Sequence, residues 1–440
     1  MARRLFGTDG VRGVAGDLLT AELALALGRA AVEQAGVEHP RVLVIRDTRE
    51  SGEMLEAALA AGVASAGGDV FGGGVLPTPA APLLIADRGY HLAAVISASH
   101  NPYRDNGIKF FGADGFKLSD ATEEAIEERL DEDPLPPTRI GRIDRRRGMD
   151  SEYLEALADR FGTLDLTGTK VLLDCANGAT FLVAPAIFRR LRADVTVLHA
   201  EPDGRNINDG CGSTHVEALA NVMRDGGHDI GFAFDGDGDR VLAVDRNGVV
   251  VDGDELIALA ALHLRRQGRL TGGGVAVTVM TNYGFHTAMR EAGIEVATTS
   301  VGDRYVLEEL RRRGWTLGGE QSGHIIDLNF NRSGDGIAAA LLTLEALGGQ
   351  DLASRTAMDR LPQRLVNVSV RDRDAAMDSP ELAEAVDRES AALEGRGRVL
   401  VRPSGTEQLV RVMVEAPTDA EAQDTCARLV ALVRDTAGVK

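Results

Sequence analysis

An α/β protein of several domains is what the sequence predicts, on three observations. Apolar strand-like runs alternate with helical patterns in three successive rounds, each holding three strand runs. The third strand of every round ends on a polar loop, at residues 97–101, 235–240 and 319–324. The chain has 440 residues, too many for one core, so two to four domains are expected.

The elements follow in order. Gly7-Thr8-Asp9-Gly10-Val11-Arg12-Gly13 spaces three glycines at intervals of three and reads as a tight loop. It is neither a dinucleotide fingerprint nor a P-loop. Thr20 caps a helix running to Gly36, with Glu22 in its first turn. Strands are expected at 42–45, 70–71 and 93–96, with a helix over 53–66 between the first two. The proline- and charge-rich stretch 131–150 reads as a linker. A helix at 152–161 then leads into strands at 171–173, 195–198 and 230–234. The third round has strands at 275–280, 295–298 and 316–317. After Pro362 the texture changes to alternating strands at 366–370 and 410–415 and helices at 380–393 and 419–436. That tail is a small α+β domain of roughly seventy residues.

Composition narrows the function. Hydrophobic content of 44% and charged content of 26% are ordinary for a soluble globular enzyme. A net charge of −19 argues against a nucleic-acid surface, which needs a basic face. Cys175, Cys211 and Cys426 have no paired spacing, which suits reduced thiols in a cytoplasm. No apolar h-region opens the chain, so no signal peptide is expected. The apolar stretch 23–32 is interrupted by Arg29 and flanked by Glu22 and Glu33, so it reads as a core helix and no membrane span is expected.

The stretch with most chemistry in it is Ser97-Ala98-Ser99-His100-Asn101-Pro102, followed by Lys109. It puts the Ser99 hydroxyl on a loop at the carboxyl end of a strand, where open α/β sheets place ligands. A nucleophile elbow needs glycine two residues either side of the serine, but Ser97 and Asn101 occupy those places. A plain turn or a serine that carries a phosphoryl group are the remaining readings, and a metal site elsewhere favours the second.

Asp235-Gly236-Asp237-Gly238-Asp239-Arg240 supplies that site. Carboxylates at i, i+2 and i+4 face one way on extended backbone, and the glycines let the chain bend around an ion. Three oxygen ligands with open positions suit Mg²⁺. An EF-hand would need Gly and Glu where Arg240 and Arg246 stand. Two further loops complete the set. Gly319-Glu320-Gln321-Ser322-Gly323-His324 offers a carboxylate, an amide, a hydroxyl and an imidazole to sugar hydroxyls, or is a polar turn. Arg402-Pro403-Ser404-Gly405-Thr406-Glu407, with Arg411 nearby, can form an anion nest with fork-shaped donors, or is a surface turn.

Together these four motifs, in this order and spanning nearly the whole chain, resemble the α-D-phosphohexomutase family. The opening Phe6-Gly7-Thr8-Asp9-Gly10-Val11-Arg12-Gly13 and the Gly319-Glu320-Gln321 form of the third loop are most similar to bacterial members acting on glucosamine phosphates. The resemblance implies three similar α/β domains with mixed sheets and a smaller C-terminal α+β domain, arranged around one central cleft. Their spans would be 1–150 with the phosphoserine loop, 151–255 with the metal loop, 256–365 with the sugar loop and 366–440 with the phosphate loop. It implies phosphorylation of Ser99 and one Mg²⁺ per subunit, held by Asp235, Asp237, Asp239 and the phosphoserine.

The implied reaction interconverts glucosamine 6-phosphate and glucosamine 1-phosphate through a 1,6-bisphosphate, feeding UDP-N-acetylglucosamine and peptidoglycan precursors. Ser99, His100, Lys109, Arg12 and His324 are the implied catalytic or charge-neutralising groups. Arg240, Glu320, Ser322, Arg402, Ser404, Gly405, Thr406 and Arg411 would bind substrate. The implied partners are a sugar phosphate and glucosamine or glucose 1,6-bisphosphate, in a cytoplasmic protein whose assembly into a homodimer is left open. Glucose or mannose phosphates as substrates, or non-catalytic sugar-phosphate binding, are the alternatives.

Overall fold

The computed structural model describes every residue except 1–4, 8, 405–407 and 438–440. It comprises two compact units: Met1–Val279 with Ala297–Arg355, and Met280–Val296 with Thr356–Lys440. Among the described residues there are four sheets.

The first sheet has seven strands, in the order Phe6–Gly7, Gly10–Val14, Asp105–Gly112, Leu92–Ile96, Arg41–Arg46, Asp69–Val75 and Ile143–Arg145. The second runs Val250–Val251, Val241–Asp245, Ile230–Phe234, Lys170–Asp174, Asp194–Leu198. The third runs Glu295–Thr299, Gly274–Thr278, Leu317–Gly319, Ile325–Asp327. One rule links the three. A strand at the end of the parallel set (Leu92–Ile96, Ile230–Phe234, Leu317–Gly319) folds back through a polar loop onto an antiparallel partner. The sheets are therefore mixed. The central strands Leu92–Ile96 and Ile230–Phe234 are buried at every position, as covered parallel strands are, so their loops sit on rigid supports.

The small sheet lies in the second unit: Gln363–Ser369, Leu409–Glu415 and Arg398–Pro403, all antiparallel. Its inward side chains, Val368, Val410, Val412 and Val414, pack with Leu382, Leu429 and Val433 of helices Pro380–Ala392 and Asp419–Ala437.

Several local expectations change. The tight loop at 7–13 is part of two strands, Phe6–Gly7 and Gly10–Val14, the second pairing with Asp105–Gly112. The stretch 131–150 is more than a linker, because Ile143–Arg145 adds an edge strand beside Asp69–Val75. All three of its residues are exposed, so no apolar alternation marks it. The Thr20 cap is as expected, accepting from Leu23 N at 3.2 Å, but the helix ends at Glu33, before Gly36. Arg402 belongs to the strand Arg398–Pro403, not to a turn.

Candidate active site

Ser99 sits between Leu92–Ile96 and Asp105–Gly112 with φ at +50°, a left-handed conformation costing about 1–3 kcal/mol for a residue with a side chain. Arg49, fully buried, holds it there. The Arg49 Nη2 donates to the carbonyls of Ser99 (2.8 Å) and Asn101 (2.9 Å), and Nη1 donates to those of Asp105 (2.9 Å) and Pro102. Asp47 fixes the guanidinium through Nε at 2.8 Å and also accepts from Ser97 Oγ at 2.6 Å. Ser97 Oγ in turn accepts from Ser99 N at 2.9 Å, and Asn208 Nδ2 adds a bond to the Ser99 carbonyl at 2.9 Å. What emerges from this clamp is one directed hydroxyl. Ser99 Oγ donates to Asp235 Oδ2 at 2.5 Å and lies 3.3 Å from His100 Nδ1.

Asp235, Asp237 and Asp239 are all buried, and each places a carboxylate oxygen within 4.8 Å of the other two. A Cβ on Gly236 would lie 2.6 Å from the Ser99 carbonyl oxygen, so glycine there lets the acidic loop reach the serine loop. Arg240 N donates to Asp235 Oδ1 at 3.2 Å, while Thr78 Oγ1 (2.5 Å) and Lys109 Nζ (3.1 Å) both reach Asp237 Oδ2. Asp237 Oδ1 and Asp239 Oδ1 are buried with no hydrogen-bond partner. Three buried carboxylates whose oxygens gather within 4.8 Å, two of those oxygens lacking a hydrogen-bond partner, fit a divalent cation bound by oxygen, as Mg²⁺ is. Burial, then the charges of Asp239 and Asp237, push the Asp235 carboxyl well above its usual range. Burial acts the same way on Asp239, but His324, Lys109 and Arg240 outweigh it and hold that carboxyl far down.

A chain of alternating charges runs along the other side. Lys109, on Asp105–Gly112, is also 3.7 Å from Asp9 and 3.8 Å from Asp239. Burial opposes its charge, but Asp237, Asp9 and Asp239 raise its pKa and keep it an ammonium. A Cβ on Gly10 would meet Ile108 O at 2.4 Å, and Gly10 has φ of +82°, so only glycine lets this segment approach Lys109 closely. Lys117 bridges Asp9 and Asp303 at 2.6 Å each, and Arg12 pairs with Asp9. His324 stands between Asp239 (Nδ1, 3.6 Å) and Asp303 (Nε2, 3.8 Å). Burial opposes the charge on His324, but Asp239, Asp303 and Glu320 outweigh it and raise its pKa, and Gly334 N approaches its Nε2 at 3.2 Å. Burial and then Arg240 and Arg12 lower the pKa of His100, which favours its neutral form.

The third loop lies against the second. Val241 N donates to Gly323 O at 3.0 Å, and Arg240 and His324 form a β-bridge. Glu320 Oε1 accepts from Gly302 N at 3.0 Å, Gln321 Nε2 donates to Asp252 at 3.2 Å, and Ser322 is exposed. In the second unit Arg402 and Arg411 face each other across paired strands. Burial, and then the Arg411 charge, lower the Arg402 pKa. Arg411 Nε is buried with no hydrogen-bond partner among the described residues. Ser404 is buried at the strand end and its carbonyl accepts from Arg373 Nη1 at 2.6 Å. Gly405 and Thr406 lie outside the described residues.

Ser99, His100, Lys109, the three aspartates, Arg12, Arg240 and His324 thus come together through the contacts above. Asp47, Arg49, Thr78, Lys117, Asn208 and Asp303 join them without having been expected. Asp47-Thr48-Arg49 directly follows the strand Arg41–Arg46, a strand-end position that flags it. Asp303 and Asn208 carry no comparable signal.

Models of the phosphoglucomutase/phosphomannomutase family match the chain in four segments. Its alpha/beta/alpha domains I, II and III match residues 3–135, 151–248 and 252–365, and its C-terminal domain matches 365–432. The chain is 53% identical over 436 residues to a phosphoglucosamine mutase of Moorella thermoacetica, covering 97% of this chain and 98% of that one. It is 52% identical over 444 residues to one of Desulforudis audaxviator, covering 98% of both. A phosphoglucomutase/phosphomannomutase family protein of Burkholderia thailandensis superposes with a TM-score of 0.80 at 25% identity, over 98% of each chain. Aspergillus fumigatus N-acetylphosphoglucosamine mutase, in complex with GlcNAc-6P and magnesium, shares the fold with a TM-score of 0.66 at 19% identity, over 99% and 96%.

Proposed function

The chain belongs to the phosphoglucomutase/phosphomannomutase family, and on that premise we propose that it is a phosphoglucosamine mutase, an isomerase interconverting glucosamine 6-phosphate and glucosamine 1-phosphate. Ser99 is its phosphoryl carrier. The observation that carries the reading is the Ser99 hydroxyl, fixed in a strained loop and 2.5 Å from Asp235 of the acidic triad.

In the forward half-reaction the bond from phosphorus to Ser99 Oγ breaks as a new one forms to the free hydroxyl of the sugar monophosphate, with net transfer of that hydroxyl's proton to Ser99 Oγ. The product is a 1,6-bisphosphate. After it turns around, Ser99 Oγ attacks the other phosphate, and the sugar oxygen leaves with a proton. Asp235 Oδ2 and His100 Nδ1 are the atoms close enough to take the serine proton. Lys109 offsets the charge of the triad, and Arg12, coupled to it through Asp9, adds a cation beside the same loop. Asp235, Asp237, Asp239 and the phosphoryl group on Ser99 would hold one Mg²⁺ per subunit, which would neutralise charge on the phosphoryl oxygens.

Glu320, Ser322 and Arg240 hold the sugar. Arg402, Ser404 and Arg411, with Gly405 and Thr406, hold the phosphate that does not react. The buried, unpaired thiols Cys175, Cys211 and Cys426 support a cytoplasmic setting, and no helix among the described residues is long and apolar enough to cross a membrane. A coupled assay on glucosamine, glucose and mannose 1-phosphates tests the substrate. The proposal expects the highest kcat/KM on the glucosamine compound, and equal efficiency on glucose 1-phosphate would refute that preference.

A further inference from the structure

A second cluster of ligand-type side chains lies beneath the acidic loop and takes no part in the chemistry above. Asp174 ends the strand Lys170–Asp174, His199 follows the neighbouring strand Asp194–Leu198, and Cys211 comes from the loop after it. One oxygen, one nitrogen and one sulfur from these residues lie within 4.8 Å of one another. Asp174 and Cys211 are fully buried, and His199 is partly so.

The geometry within the cluster is informative. His199 Nδ1 is 3.0 Å from Asp174 Oδ1, yet it is closed to solvent and makes no hydrogen bond. When the imidazole is neutral, a histidine and a carboxylate this close can both turn lone pairs toward one cation. Ligands about 2.1 Å from a tetrahedral Zn²⁺ stand roughly 3.4 Å apart, close to what is seen here. The carboxylate is already aimed, with Ala176 N donating to Oδ1 and Gly212 N to Oδ2, both at 2.9 Å. Those bonds leave lone pairs on both oxygens. His199 and Ala176 have φ of +50° and +54°, so backbone strain is spent where it brings the three side chains together.

We propose that Asp174, His199 and Cys211 form a second divalent-metal site, suited to Zn²⁺ with a water as the fourth ligand. A mixed nitrogen, oxygen and sulfur set discriminates against Mg²⁺, which takes oxygen ligands, and so separates this site from the triad. On binding, the Cys211 Sγ–H bond gives its proton to water and a sulfur–metal bond forms. The site braces the catalytic loop from below: Ser213 N donates to Phe234 O, and Ala179 N to Gly236 O, both at 2.8 Å. Its metal is structural and does not touch substrate.

Cobalt(II) is the probe. Full-length protein is stripped with chelator, saturated with Mg²⁺ to occupy the triad, and titrated with Co²⁺ under reducing conditions. The proposal expects one equivalent to produce the near-ultraviolet charge-transfer band of a thiolate–cobalt bond, with the visible intensity of a tetrahedral site. Cys211→Ser should abolish that band, and His199→Gln should weaken Co²⁺ binding by about 10-fold or more. No thiolate band in the wild type, as expected of a simple Asp174–His199 ion pair beside an inert thiol, overturns the proposal. So does a band unchanged in Cys211→Ser. The wild-type spectrum is decisive even where a variant fails to fold.

Discussion

Replacing Arg49 by lysine should disable catalysis without touching a group that contacts substrate. Arg49 donates five hydrogen bonds from a fully buried guanidinium: one to Asp47 and four to the carbonyls of Ser99, Asn101, Pro102 and Asp105. Lysine keeps the charge but has three donors, so at least two bonds are lost. At about 1.5–3 kcal/mol for each bond to a charged group, the loss is roughly 3–6 kcal/mol before relaxation. The left-handed Ser99 backbone stores about 1–3 kcal/mol, so the restraint lost is at least as large as the strain it helps to contain. The loop should relax, and a shift of about 1 Å in Oγ costs on the order of 10²-fold in rate. Steady-state kinetics at saturating bisphosphate should show kcat for Arg49→Lys down by about that factor with KM for the sugar phosphate nearly unchanged. Circular dichroism should report a folded protein. A kcat within twofold of wild type would refute the view that this clamp sets the serine's position.

Four other outcomes follow from the same geometry. Ser99→Ala should fold and lose nearly all turnover, and near-wild-type activity in it would end the phosphoserine mechanism. Asp237→Asn, which changes a triad carboxylate bonded to Lys109 and Thr78, should weaken Mg²⁺ binding in calorimetry and lower kcat by about 10²-fold or more; a chelator-resistant enzyme would contradict this. Arg402→Ala should raise KM with a smaller fall in kcat while Ser99 phosphorylation persists, and unchanged constants would remove the phosphate role from that strand end. Burial, then Arg398 and Arg290, lower the His286 pKa from 6.5 to about 4, so the unfolded chain takes up its proton first as pH falls. Stability should therefore decline between roughly pH 6.5 and 4 by an amount of order 2–3 kcal/mol, after allowance for partial exposure, and His286→Gln should flatten that part of the urea-denaturation profile.

The parts of this protein that were legible in its sequence are contiguous. Ser97 to Pro102 and Asp235 to Arg240 announce themselves because the chemistry sits within six residues and follows a run of buried apolar positions. Three rounds of strand and helix were readable for the same reason, since periodicity is a local property. The strand Asp105–Gly112, which carries Lys109, was harder: it follows a proline turn and reads as loop until its pairing with Leu92–Ile96 is known. Ile143–Arg145 is exposed throughout and has no pattern to read. The charge chain is a different case. Lys117 meets Asp9 across 108 residues and Asp303 across 186, separations at which one sequence gives no indication of proximity. Arg49 hides in plain view at a strand end, because its role depends on burial and burial of an arginine is improbable before partners are seen. The Arg402 and Arg411 pairing lay within reach, as both flank one short connection, yet only the strand register sets them face to face.

The central claim is that Ser99 passes a phosphoryl group to and from a glucosamine phosphate, and a single-turnover experiment tests it most directly. Protein labelled with radioactive phosphate from a 1,6-bisphosphate, freed of ligand and mapped by peptide mass, is mixed with glucosamine 6-phosphate and Mg²⁺ and quenched in time. The account predicts label on Ser99 alone at the start, then its loss from protein matched by its appearance in glucosamine bisphosphate and 1-phosphate, with no label in Ser99→Ala. Label that stays on the protein while product forms, or that maps to another residue, would contradict it.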